Sequence, residues 1–217
     1  MSDLSEPAPT LAHVTSPGLF ISLEGGDGAG KSTQAGLLRE WLVARGHEVV
    51  LTREPGGTEL GRLLRDAVLH GEDVDPRTEA LLYATDRAHH VASLVRPALG
   101  RGAVVVTDRY LDSSVAYQGS GRDLGAEEVE ALSMWATDGL MPALTVLLDL
   151  DPVLGRSRLT GDPDRLERAG DDFHRRTRQA FLDRAAADPA RWLVLDATRP
   201  AHELAAEIRT RVEGVLA

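Results

Sequence analysis

The sequence predicts an α/β protein built on a parallel sheet with helices on both faces and a phosphate-binding P-loop at its first strand end. Two observations carry this. Short apolar runs alternate with segments of helical period from residue 19 almost to the end of the chain, the pattern of a parallel sheet covered on both sides. Residues 25–33 read GGDGAGKST, a match to G-x-x-x-x-G-K-[ST], and lie between one such apolar run and one such helical segment. In that setting the glycines let backbone N–H groups turn inward around an anion, and the helix N-terminus adds partial positive charge. Lys31 would reach the β- and γ-phosphates of a nucleotide, and the Ser32 hydroxyl would ligate Mg²⁺. The chain has 24 Lys plus Arg, and Lys31 is the one lysine among them. An ammonium on a thin stem fits inside a phosphate cradle where a planar guanidinium does not.

In chain order, residues 19–23 are a buried strand and residues 34–45 the first helix, with Leu37, Leu38, Trp41 and Leu42 at helical spacing. Gly46 ends that helix, and 47–51 reads as a second strand. A rigid polar loop, TREPGGT at 52–58, precedes a helix over 59–69 in which Arg62 and Arg65 interrupt the apolar period. After a loop at 71–76, a long helix spans 78–99 with Leu81, Leu82, Val91, Leu94 and Val95 facing inward, and Pro97 predicts a kink near its end. Residues 103–107 are a near-continuous apolar strand, and Asp108-Arg109-Tyr110 stands at its C-terminal end, where open α/β sheets bind ligands. A polar, partly helical stretch at 111–121 follows, then a helix at 126–137, a strand at 143–148 and a helix starting at 152. That helix runs into the charged stretch 160–168, which has too few apolar residues for core and reads as a mobile lid within about 156–172. A helix at 173–187, a strand at 192–195 and a helix at 201–216 complete a single domain over 18–217.

Composition bounds the function. With 217 residues, 42% hydrophobic and 27% charged, the chain suits one soluble domain. A net charge of −10 argues against binding a nucleic acid polymer, which needs a basic face. Zero cysteines exclude disulfides, thiolate metal sites and cysteine nucleophiles. No apolar run approaches the roughly 18 residues of a membrane span. Residues 1–17 lack Lys and Arg, so a flexible tail is expected there rather than a signal peptide, and the expected location is cytoplasmic.

A P-loop alone does not name a reaction. The N-K-x-D motif of guanine-nucleotide switches needs a second lysine, and outside the P-loop neither a strand-end D-x-x-G nor an L-S-G-G-Q stretch occurs. What remains is an ATP-using kinase or a small ATPase. Arg53, Arg65, Arg109 and the arginines near the lid stand at strand-end or loop positions from which they could converge on phosphates. A phosphoryl-transfer enzyme must neutralise both donor and acceptor anions. Arg109 could equally pair structurally with Asp108, and Arg156, Arg158 and Arg168 could line a solvated helix face. From the residues alone the reading stops at ATP-dependent phosphoryl transfer to a small anionic acceptor.

Nearly the whole chain after residue 17 resembles bacterial thymidylate kinases. The matching stretches are EGGDGAGKST at 24–33, TREPGGT at 52–58, LLYATDRAHHV at 81–91, DRYLDSSVAYQG at 108–119, DRLE at 164–167 and LDATRP at 195–200. The resemblance implies a five-stranded parallel sheet in a P-loop NTPase-type three-layer fold, a homodimer, and transfer of the γ-phosphate of ATP to dTMP with Mg²⁺, giving dTDP and ADP for dTTP synthesis. It implies that Gly25, Gly26, Asp27, Gly28, Ala29, Gly30, Lys31, Ser32, Thr33 and Arg156 hold the ATP phosphates. It places Tyr83, otherwise readable as a core aromatic, against the thymine ring, and Arg87, one turn later, on its O4. Ser114 and Gln118 match residues that bond the base edge, and Tyr117 matches a ring set against C2′ of the sugar. Arg65 and Arg109 match the acceptor-phosphate clamps. Asp27 matches the residue that bonds the 3′-hydroxyl, and Asp108 would hold Mg²⁺ through a water.

Two departures stand out. Some family members carry a catalytic arginine inside the P-loop, but here the spacers are Gly26, Asp27, Gly28 and Ala29. That shifts charge stabilisation to the lid, where Arg156, Arg158 and Arg165 match and Thr160 replaces a further arginine. Tyr83 stands where phenylalanine is commoner, and a ring is kept. Lys31, Asp27, Arg109, Arg158 and Arg165 are therefore the catalytic candidates, and helices 59–69, 78–99 and 126–137 the candidates for a dimer interface. A kinase of another nucleoside or nucleotide, or a P-loop ATPase acting as a switch or assembly factor, stays open at this point.

Overall fold

Leu19–Glu24 forms β1, six consecutive buried residues, because a central strand in a parallel sheet has no solvent face. Its alternate side chains serve two cores. Leu19, Ile21 and Leu23 face one helix layer, and Phe20 faces the other, stacked edge-on against Tyr110 with ring centres 4.9 Å apart. This is seen in a computed structural model that describes residues 18–216, so the expected tail at 1–17 lies outside the described residues.

Helix α1 (Lys31–Val43) buries Ala35, Leu38 and Leu42 against β1. Strand β2 (Val49–Arg53) starts two residues later than the sequence suggests. The cause is the end of α1: Gly46, at φ 86°, lets the N–H of His47 donate back to Leu42 O (3.2 Å), so residues 46–47 cap the helix instead of joining the sheet. Helix α2 (Glu59–His70) is capped by the Thr58 hydroxyl, which accepts from the Gly61 N–H at 2.9 Å.

Helix α3 (Pro76–His90) opens on an Asp75 cap with Pro76 in its first turn. The single helix expected over 78–99 is broken. A π-helical turn at Val91–Val95 joins α3 to the short α4 (Arg96–Gly100). Pro97 has no N–H to return to residue 93 and its ring crowds that carbonyl, which a widened turn relieves. Val91 and Val95 are buried as expected, but Leu81 points outward at 54% exposure.

Strand β3 (Val104–Asp108) is followed by α5 (Leu111–Ser114) and a π-helical turn at Val115–Gly121. Residues 111–119, read from sequence as part of a polar, partly helical stretch, are all buried. Helix α6 (Ala126–Thr137), β4 (Leu144–Asp149) and α7 (Pro152–Ser157) follow. In the charged stretch after α7, residues 158–163 are exposed, but Arg165 and Leu166 are buried, so part of the expected lid is packed down. Helix α8 (Asp171–Ala187), β5 (Trp192–Asp196) and α9 (Ala201–Leu216) complete the chain.

The five strands are all parallel, in the order β2-β3-β1-β4-β5. The C-terminal ends of β1, β3 and β2 therefore lie side by side, with Leu23 paired to Asp108 and Asp108 to Arg53. The motif loops after β1, β2 and β3 leave the sheet at that edge, whereas LLYATDRAHHV lies largely on α3, DRLE follows α7 and LDATRP follows β5. Replacing Ile21, fully buried in the central strand, by alanine is expected to lower unfolding free energy by about 2–5 kcal/mol in urea titration.

Candidate active site

The site begins with a sharp turn at the end of β1. Gly25 adopts φ 133°, and a Cβ there would lie 2.4 Å from Leu148 O, so the chain can pass β4 only as glycine. Gly28, at φ 75°, is pressed as closely on Gly155 O of α7. The loop closes over Lys31, whose Nζ donates to Gly26 O (2.8 Å) and Gly25 O (3.1 Å). Burial, and next the positive charge of Arg109, push the Lys31 ammonium down to about 8; Asp108, Asp27 and Glu24 pull the other way without restoring it. Ser32 Oγ donates to Asp108 Oδ2 at 3.0 Å.

Arg109 follows β3 in a left-handed conformation, φ 70°, unusual for a non-glycine residue. Its Nη2 donates to Asp27 Oδ1 (2.7 Å) and Tyr117 Oη (3.1 Å), and its Nη1 to Gly25 O (2.9 Å) and Ser113 Oγ (3.1 Å). Nε is left without a hydrogen bond among the described residues. Burial alone would raise Asp27, but Arg109 and Lys31 beside it bring its carboxyl below the usual range. Beneath this turn the fully buried Glu24 accepts from Tyr110 N (2.8 Å) and Ser113 Oγ (2.6 Å). Burial, and then the charge of Asp112, still lift Glu24 to about 8.

Two clefts meet at this wall. The first is lined by Gly28, Gly30, Lys31, Ser32, Thr33 and Asp108 and is overlooked by Arg53 and Arg158. The second, about 510 Å³, is lined by all seven residues assigned to the acceptor: Arg65, Tyr83, Arg87, Arg109, Ser114, Tyr117 and Gln118. Asp27, Glu54, Arg65 and Arg109 line both. In the second cleft Arg87 is 2% exposed and held rigidly: Nε donates to Glu54 Oε2 (2.7 Å), Nη1 to Ser133 Oγ (3.1 Å), and Nη2 to Ser114 Oγ (3.0 Å) and Tyr110 O (3.3 Å). One N–H of Nη1 has no partner among the described residues. Glu54 is fixed in turn by His90 Nδ1 at 2.7 Å, and His90 Nε2 by Thr52 Oγ1 at 2.7 Å.

The three lid arginines separate. Arg158 lies against the phosphate loop, donating to Ala197 O (3.2 Å) and Gly28 O (3.3 Å). Arg156 pairs with Asp171 and lines a neighbouring cavity under α8 rather than the phosphate cleft. Arg165 departs furthest from expectation. Leu166 packs into the apolar cluster under α8, and Arg165 is drawn down beside it, its Nε donating to Val68 O (2.8 Å) and its Nη2 lying 2.8 Å from Glu79 Oε2. Glu24, Glu54, Glu79 and His90 received no role from the sequence. The only signal for Glu79 was its place one helical turn before Tyr83.

An anion beside Lys31 raises its pKa back toward the ordinary value, so a nucleoside triphosphate should bind with little proton uptake by this group below about pH 7. Above about 8 and up to 10.5, binding should take up a proton and affinity should fall by up to about tenfold per pH unit. Titration calorimetry between pH 7 and 10, in buffers of different ionisation heat, reads both effects. In the unliganded protein the sign is opposite. The depressed value means that stability lost to burying the ammonium is regained as pH rises from 8 toward 10.5.

Comparison with known proteins agrees with this geometry. The family model described as thymidylate kinase matches residues 23–208. The thymidylate kinase of Clavibacter michiganensis subsp. michiganensis is 62% identical over 204 residues, covering 92% of this chain and 97% of that protein. Those of Bifidobacterium longum (strain NCC 2705) and Deinococcus radiodurans are each 56% identical, covering 90% and 89% of this chain and 98% and 95% of their own. A match across both clefts and nearly the full sheet leaves one assignment: the chain belongs to the thymidylate kinase family.

Proposed function

We propose that this chain is an ATP-dependent nucleoside monophosphate kinase that transfers the γ-phosphoryl group of ATP to dTMP, giving dTDP and ADP. The observation that carries the reading is the shared wall of the two clefts. Arg65 and Arg109 face both, so a donor triphosphate on the P-loop and an acceptor monophosphate in the second cleft would be gripped at one sheet edge. A nucleotide-hydrolysing switch has no use for a second anion pocket with a base-sized floor.

The residues then divide the work. Lys31 and the loop amides neutralise the β- and γ-phosphates, and Arg158 approaches from α7 to offset charge on the moving group. Arg109, with Nε uncommitted, orients the acceptor phosphate so that its oxygen attacks the γ-phosphorus as the bond to the β–γ bridging oxygen breaks. Asp27 accepts from the sugar 3′-hydroxyl, and the Tyr117 ring closes the space beside C2′. Tyr83 stacks on the base, a contact worth roughly 1–3 kcal/mol, and the remaining N–H of Arg87 donates to O4.

Ser32 and Asp108 are the residues that would hold Mg²⁺. They place two oxygen donors 3.0 Å apart at the loop mouth, and among the described residues no group of three metal-binding side chains occurs, which suits an ion that takes most of its ligands from phosphates and water. The ion supplies charge neutralisation of the donor phosphates.

We also assign a homodimer. Leu60 and Leu63 on α2, Leu81 on α3 and Trp135 on α6 are exposed, Trp135 at 83%, and these helices pack side by side. Exposed apolar side chains of this size on adjoining helices suit contact with a second copy.

Coupled ADP release should be fastest with dTMP in a panel including dUMP, dCMP, dGMP and thymidine. Preference for unphosphorylated thymidine, or hydrolysis indifferent to any acceptor, would overturn the assignment. Arg158→Ala should lower turnover by about 10³–10⁵ with the melting temperature unchanged, whereas Arg156→Ala should cost far less. Trp135→Glu should shift sedimentation from dimer to monomer.

A further inference from the structure

Glu79 stands outside the cleft, 1% exposed, and touches no part of the space a nucleotide would occupy. Its carboxylate is nevertheless the most heavily engaged acidic group beside the pocket. Oε1 accepts from Gln118 Nε2 (2.9 Å) and Arg122 Nε (3.3 Å). Oε2 accepts from Arg122 Nη2 (3.1 Å) and lies 2.8 Å from Arg165 Nη2. A carboxylate between two guanidinium groups can only accept, so the partner it draws from the Gln118 carboxamide must be the NH₂ end. Gln118, itself 1% exposed, lines the cleft, so its other end, Oε1, is the one turned toward a ligand.

That orientation matters because a carboxamide is nearly symmetric in shape and opposite in chemistry at its two ends. Thymine presents an N3–H donor and cytosine an N3 lone pair. A carbonyl oxygen facing the ring accepts from the first and repels the second. We infer that Glu79 is a specificity-determining positioning residue, which selects thymine over cytosine by fixing which end of the Gln118 carboxamide faces the base. The inference rests on the acceptor-pocket reading above. Arg122 and Arg165 hold the carboxylate still, and the buried lid segment at Arg165 thereby becomes part of the base-reading apparatus rather than of the phosphate site.

The test is Glu79→Gln, in which the introduced carboxamide can donate as well as accept and so releases Gln118 to turn. The ratio of kcat/KM for dTMP over dCMP is expected to fall at least about tenfold, mostly through better use of dCMP. A structural role alone would lower both substrates together, so an unchanged ratio overturns the inference. Gln118→Ala separates the two layers. It should lower kcat/KM for dTMP by about tenfold or more, and no effect would remove the pocket reading together with the inference. Should Glu79→Gln fail to fold, the native enzyme still decides. Gln118 is one of only three glutamines with Gln34 and Gln179, so ¹⁵N-glutamine labelling resolves its carboxamide. Slow exchange of its NH₂ protons with water, before and after dTMP is added, supports the fixed orientation, and fast exchange in the dTMP complex overturns it.

Discussion

The contact between Arg109 and Asp27 is the hinge of the whole arrangement. It joins the turn after β1 to the turn after β3, two strands that pair along their full length, and so fixes the distance between the places where donor and acceptor anions would sit. Unusual backbone lies on both sides of the contact. Asp27 comes within range because Gly25 bends the chain across Leu148, and Arg109 because its own backbone adopts a left-handed conformation. Below them, Glu24 takes the Tyr110 N–H and the Ser113 hydroxyl, and Ser113 in turn receives Arg109. A buried carboxyl group thus sets the angle of an arginine that it does not touch.

Charge burial on this scale is a choice of orientation over stability. Asp112 is fully buried between Arg184 and Arg191, and Glu54 between Arg87 and His90. Buried pairs of this kind give little net stability after desolvation, but losing one partner is costly. What they supply is fixed direction: each guanidinium has nearly all its donors committed, so the few left over point one way. Arg87 keeps a single N–H uncommitted among the described residues, and Arg109 keeps Nε. The proposed discrimination between an oxygen and an amino group at one ring position would need that rigidity.

Much of this was legible in the chain itself, and the failures have physical causes. The P-loop could be read because its glycines and Lys31 occupy a spacing that few other needs would produce. The strands could be read because parallel sheets demand apolar runs on both faces. Strand β2 was displaced because the N–H of His47 went to a helix cap, a backbone event with no side-chain signature. Residues 111–119 read only as polar and partly helical because the partners that bury their polar side chains, Glu24, Glu79, Arg87 and Arg184, lie far off in sequence. Glu79 and Glu54 escaped for the same reason: an acid on a helix or in a loop reads as solvated until its arginines, distant in sequence, are seen beside it. Arg165 matched by position yet sits elsewhere, because burial of Leu166 determines where its neighbour goes.

The solitary lysine has a chemical corollary. Every other basic side chain able to carry charge at neutral pH without titrating is a guanidinium, inert to most acylating agents, so the chain offers one side-chain amine, and it lies within the anion cradle. With its pKa near 8, on the order of a tenth of it is unprotonated at pH 7. Carbamylation or acyl transfer to a lysine side chain of this protein would therefore be a single-hit event, and an occupied cradle is its own protecting group.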